Sequence, residues 1–154
     1  MNLIHVASKE IIERIEGDNL FKKKCVKSLF FLIRSQGFNK IDVEDYAKGS
    51  IIKFKSNEFN KMVIIEYELG TLPEFSILED GNQQAFFSMD DKLFEFPIHY
   101  RMYQIVQRPI SSVETYIKEI GEIWKSNEKE IEREVHNSIE ILAEKVRSHF
   151  VGFN

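Results

Sequence analysis

The sequence predicts an α+β fold, and three observations carry that expectation. Apolar spacing is helical up to about Phe38, alternates with period two from Phe38 to Ser88, and is helical again in the last third. The alternating runs are four to nine residues long, and their links are too short for the crossover that parallel strands need, so they pair as antiparallel hairpins. Each run has an apolar and a polar side, as in a sheet packed on helices on one face and wet on the other. The expected layout is N-terminal helices, an antiparallel meander of four to five strands, and a C-terminal long helix or helix pair packed on one face of the sheet. A length of 154 residues is close to the commonest domain size, so residues 1–154 are expected to form one domain.

The first helical stretch runs from about Ser8 to Gln36. Ile11, Ile12 and Ile15 give it a short apolar face. Gly17-Asp18 interrupts it, with Asp18 as the N-cap of the next helical segment. Phe21, Cys25, Leu29 and Ile33 then recur at helical spacing, with Val26 and Phe30 beside them. Gly37 is a natural stop, because glycine adopts the left-handed conformation at little cost.

The strand runs come next. Ile41, Val43 and Ala47 alternate with charged residues, and Ile52 and Phe54 alternate with Lys53 and Lys55. Val63, Ile65, Tyr67 and Leu69 alternate with Ile64, Glu66 and Glu68, and Phe75 and Ile77 with Ser76 and Leu78. Turn residues separate the runs at Lys48-Gly49, Asn57 to Asn60, Gly70 to Pro73 and Asp80 to Asn82. Between Met89 and Arg108, Pro97 blocks a through-going helix, so a loop and then a short helix over about Ile98 to Gln107 are expected. Pro109 and the capping box Ser111-Ser112-Val113-Glu114 open the closing helical region. Its apolar positions are Val113, Ile117, Ile120 and Trp124, then Ile131, Val135, Ile139, Leu142, Val146 and Phe150. Trp124 shares a face with Ile117 and Ile120, which predicts substantial burial. Lys125 to Glu128 has no apolar residue, and Asn127-x-x-Glu130 can start a second helix, so one bent helix and two helices are both compatible with the pattern.

Composition narrows the function classes. One cysteine, Cys25, allows no intramolecular disulfide, and Met1 to Glu10 has no basic segment leading into an apolar run. No stretch approaches the length of a membrane-spanning helix. A cytoplasmic protein is expected. The net charge of −4 does not attract nucleic acid overall. Residues 1–63 carry 12 Lys+Arg against 8 Asp+Glu, whereas residues 64–154 carry 9 against 17. The acidic second part points to basic partners.

Glycine-rich phosphate loops, dinucleotide fingerprints, HExxH motifs and nucleophile elbows are absent. Cys25 follows three lysines but sits on the apolar stripe with Phe21 and Leu29, which favours a buried, inert thiol over a nucleophile. Glu132, His136, Glu140 and Glu144 fall at four-residue intervals and share one helix face. A metal pair on helices needs Glu-x-x-His twice, and neither copy is present, so the stripe is a solvated or partner-binding face and no metal or cofactor is expected. Lys22-Lys23-Lys24, with Lys27 and Arg34, is the best basic patch, and nucleic-acid binding would need Lys53 and Lys55 to join it. The segment Phe94 to Tyr103 mixes aromatic and ionisable groups. It can close one end of the core, or line a pocket with His99 as acid or base and Arg101 as an anion clamp.

The order of elements carries a resemblance. A helix ends at Gly37-Phe38, strands come after it at Lys61 to Glu68 and Leu72 to Ile77, and a charged closing helix contains Thr115 to Ile120. This resembles small single-domain bacterial proteins, some of which are immunity proteins to polymorphic or contact-dependent toxins. The resemblance implies a protein that binds and blocks another protein; the acidic second part makes a basic toxin domain the expected partner, and no enzymatic activity is expected. The expected contact residues are Glu132, His136, Glu140 and Glu144, then Glu66 and Glu68 on the sheet. The alternative is a small enzyme with its site in the 94–103 segment.

Overall fold

The computed structural model describes residues 20–46, 49–68, 71–107 and 113–151. The expected Ile11–Ile15 face, the Asp18 cap and the Ser111 hydroxyl of the capping box lie outside these residues. The described residues open with helix α1 (Leu20–Leu29) and a short α2 (Phe31–Ser35). Between them, Phe30 N–H bonds to the Lys27 carbonyl at 3.4 Å and Ile33 N–H to the Phe30 carbonyl at 3.0 Å, a tightened turn of i→i−3 bonds. The break shifts the register, so Leu32 is buried and Ile33 only half-buried. Gly37 has φ +77, and the next N–H, of Phe38, returns to the Leu32 carbonyl at 3.1 Å and closes the helix end.

Among the described residues five antiparallel strands form a meander in the order β1-β2-β3-β4-β5. They are β1 (Lys40–Tyr46), β2 (Gly49–Ser56), β3 (Lys61–Glu68), β4 (Glu74–Glu79) and β5 (Asn82–Phe87). Register places apolar residues in rows across the inner face. One row is Ile41, Phe54, Val63, Ile77 and Ala85, and the next is Val43, Ile52, Ile65, Phe75 and Phe87. Asp80 and Gly81 both have positive φ and form the two-residue turn that the twist of a hairpin prefers.

A 3-10 segment (Asp90–Glu95) leads to helix α3 (Pro97–Val106). Pro97 does not break this helix. It occupies the first turn, where its missing N–H is not needed. The closing region is two helices, α4 (Val113–Ser126) and α5 (Glu128–Val151), divided at Asn127. Asn127 serves both: its amide donates to the Ile123 carbonyl at 2.8 Å, and its own carbonyl accepts from Ile131 N–H at 2.9 Å. Helix α5 buries Ile131, Val135, Ile139, Leu142 and Val146 against α1 and the inner face of the sheet. The expected face of α4 is corrected. Ile117 is 65% exposed, Trp124 is half-buried, and Ile123 is the buried residue. Among the described residues helix α4 packs closely on α3 and α5, and the face that goes inside there passes through Ile120 and Ile123. No helix among the described residues is long and apolar enough to cross a membrane.

Candidate functional site: a buried Glu–His pair opening on an acidic pocket

The start of α3 creates the site. The first N–H groups of a helix have no partner within it, and Phe96 supplies no side-chain cap. Glu134, from α5, does. Its carboxylate accepts from Ile98 N–H at 3.1 Å and His99 N–H at 3.0 Å, and it lies 2.8 Å from His99 Nδ1. An acceptor on that side requires Nδ1 to carry the proton. His99 is 1% exposed, and its other nitrogen, Nε2, has no hydrogen-bond partner among the described residues. Burial holds the imidazole pKa below its ordinary value, against the opposing hydrogen bond and charge of Glu134. At neutral pH the ring is therefore neutral, and Nε2 presents a lone pair.

His99 lines a cavity of about 380 Å³ between the 3-10 segment, α3 and the β3–β4 end of the sheet. Glu66, Glu68, Glu74 and Asp90 line the same cavity, with Leu72, Leu93 and Tyr103. Glu66 and Glu74 are direct cross-strand partners, an arrangement in which like charges repel. The Glu74 carboxyl is raised in pKa, first by burial and then by Asp90, Glu66 and Glu68. Among the described residues no lysine or arginine lines the cavity, and none of these four carboxylates has an ion pair.

The acidic stripe on α5 has a different setting. Glu140 bonds to Lys24 of α1, and this ammonium holds the Glu140 carboxyl below its ordinary range. His136 Nε2 is 3.9 Å from Glu132, beyond hydrogen-bond reach, and burial lowers the imidazole pKa. Glu140 and Glu144 border a larger open groove of about 780 Å³ whose floor is apolar, with Phe87 and Ile141. The larger cavity thus lies away from the Glu134–His99 pair, and His99 lines the smaller one; among the described residues the Nε2 atoms of His99 and His136 are both buried without a hydrogen-bond partner. Two lysines of the basic patch are answered by carboxylates, Lys22 by Asp45 and Lys24 by Glu140, and the sheet lysines pair as well, Lys55 with Asp42 at 2.7 Å and Lys53 with Glu44 at 3.7 Å.

The 94–103 segment divides. Phe96, His99 and Met102 turn inward, whereas Phe94 is 67% exposed and Tyr100 and Tyr103 are at the surface. Arg101 does not face His99. It borders a separate groove with Glu119 and Glu122, so an acid–base histidine beside an arginine anion clamp is not formed. Cys25 is fully buried, and burial pushes its thiol pKa well above the ordinary value, which leaves it protonated and inert. Among the described residues, no three of the metal-binding side chains come together as a site.

Sequence reasoning missed Glu134, Glu74 and Asp90. Glu134 had a signal: it stands on the apolar stripe of α5, three residues after Ile131 and next to Val135, where an ionisable residue needs buried partners. Glu74 and Asp90 had none, because only the β3–β4 pairing and the fold of the 3-10 segment bring them to Glu66.

Compared with known proteins, the chain matches no family model, no curated protein and no solved structure.

Proposed function

We propose that this chain is a protein-binding module that neutralises a basic protein partner, as an immunity-type inhibitor acting in the cytoplasm on a bacterial toxin. The observation that carries the reading is the cavity lined by Glu66, Glu68, Glu74 and Asp90 without a described cation. Like charges so arranged cost stability, and a partner's positive charge removes that cost on binding. Complementary charge also speeds encounter and suppresses wrong partners. The binding surface centres on Glu66 and Glu68. The α5 stripe of Glu132, His136, Glu140 and Glu144 contributes at most a rim, since Glu140 is already engaged by Lys24.

Co-expression with the product of the adjacent upstream gene tests this. A stable complex that weakens with salt, and weakens again in Glu66→Lys/Glu68→Lys, is expected. A complex indifferent to both would sink the reading.

The second reading, a small enzyme using His99 as a general base, is favoured by the Glu134–His99 pair, which fixes the imidazole tautomer. Against it, no hydroxyl among the described residues lies within hydrogen-bond reach of Nε2. The imidazole has an orienting partner but, among the described residues, no protein nucleophile within reach to activate.

A further inference from the structure

We infer that the acidic cavity is a socket for one arginine side chain of a protein partner, with the guanidinium taken between the Glu66–Glu74 pair and Nε2 of His99. This rests on the protein-binding reading above and specifies the chemistry of the contact.

The walls set the sign of the ligand. They carry Glu66, Glu68, Glu74 and Asp90, and no described cation answers them. Anionic ligands are repelled, and a cation is drawn in.

The floor is an observation separate from the acids. Glu134 uses its two oxygens on Ile98 N–H, His99 N–H and the His99 ring, which leaves Nε2 as a buried acceptor without a donor. A buried polar atom left unpaired is costly and uncommon in native proteins. A ligand that satisfies it brings a hydrogen-bond donor as well as a positive charge. A bare metal ion is a poor match, since among the described residues no three of the carboxylates and imidazoles converge as ligands.

Shape selects among cations. The acceptors stand on different walls: Glu66 and Glu74 on adjacent strands, Asp90 at the start of the 3-10 segment, and His99 on α3. A guanidinium has five N–H donors spread in a plane, and it reaches acceptors on several sides at once. An ammonium gathers three donors at one point and is more strongly hydrated. Leu72 and Leu93 line the cavity and suit the aliphatic stem of the side chain.

The test uses the full chain with nitrogen-15-labelled histidine and backbone. Acetyl-arginine methylamide, acetyl-lysine methylamide and acetyl-citrulline methylamide are titrated separately while the His99 ring nitrogens are followed by long-range proton–nitrogen spectra. The arginine compound should shift Nε2 saturably, moving it from the lone-pair towards the hydrogen-bonded position. The lysine compound should bind at least about tenfold more weakly and the neutral citrulline not at all. Glu74→Gln, a half-buried position that leaves the core untouched, should weaken the arginine compound about fivefold to tenfold, and Glu140→Gln should not change it. Equal response to lysine, or an unshifted Nε2 at saturation, overturns the socket. So does an unchanged affinity in Glu74→Gln.

The two readings fail separately. If a partner protein binds wild type and not Glu66→Lys/Glu68→Lys, yet the arginine compound leaves Nε2 unmoved, the socket falls and the binding module stands. If the compound binds as described and no partner protein does, the socket stands as a site for a free guanidinium ligand and the protein-binding reading falls.

Discussion

Two acidic surfaces among the described residues each hold a histidine, and they are built in different ways. On α5, Glu132, His136, Glu140 and Glu144 keep a helical repeat, and Lys24 reaches Glu140 from the neighbouring helix. At the β3–β4 end, Glu66 and Glu68 of β3, Glu74 of β4 and Asp90 of the 3-10 segment come together and no described cation meets them, while the histidine of each surface keeps a buried Nε2 without a partner among the described residues. The first surface is conspicuous in the sequence, and Lys24 answers one of its three carboxylates, Glu140. The second is scattered in the sequence and left open. A run of charge along a helix thus says less about binding than whether the fold supplies the opposite charge.

The largest contrast should come from cutting each surface at its anchor. Glu134→Ala removes an acceptor shared by Ile98 N–H, His99 N–H and His99 Nδ1 in a buried setting. It should cost about 3 kcal/mol, or roughly 6–12 °C in Tm. Glu140→Ala removes one exposed ion pair and should cost below about 0.5 kcal/mol. Urea denaturation of both variants checks the pair, and similar losses would erase the contrast between the two surfaces.

Partner affinity comes next. Glu66→Lys/Glu68→Lys should weaken the complex by at least about tenfold, and Glu140→Lys/Glu144→Lys by less than about threefold. The reverse order, read by titration calorimetry at one salt concentration, would return the interface to α5.

Acid should then act on both histidines in the same direction. The folded chain holds His99 and His136 below their ordinary value of 6.5, so below about that pH the unfolded chain binds more protons than the folded one. Stability should fall as pH drops from about 7 to about 5.5. Asp42, Asp45 and Glu140, held low by their lysines, add further loss as pH falls below the ordinary carboxylate range. Stability that is flat or rising across the first window would mean that neither imidazole is held neutral by burial.

The smallest effect has the opposite sign. Glu74 is raised, so the folded chain takes up its proton more readily and gains from neutralising it. Glu74→Gln should stabilise the free protein by about 0.5 kcal/mol at neutral pH while weakening the arginine contact. A destabilised Glu74→Gln, read in the same urea titration, would indicate that a cation already sits beside Glu74 in the folded protein.

Much of the fold was legible because it rests on periodicity. The alternation from Ile41 to Ile77 gives the strands, and the short links give the meander. The repeat from Ile131 to Val146 gives α5. Less legible was the part that depends on which neighbour arrives. Ile117 and Trp124 have the spacing of a core face, yet among the described residues α3 and α5 meet α4 on another side, and Ile123 takes the inner place. The site was legible in pieces. His99, Glu66 and Glu68 stood out by residue type, whereas their company did not, because Glu74 and Asp90 reach them through strand pairing and the 3-10 segment, and Glu134 through the packing of α5 on α3.

Glu134 also gives the cavity a natural clock. The amide hydrogens of Ile98 and His99 are locked by a side chain on another helix, so they exchange with solvent only when α3 and α5 part. The same separation releases the imidazole that forms the floor. Deuterium uptake at these two amides therefore times the opening of the cavity itself, and a ligand seated on His99 should slow it there before any change is seen in the strands.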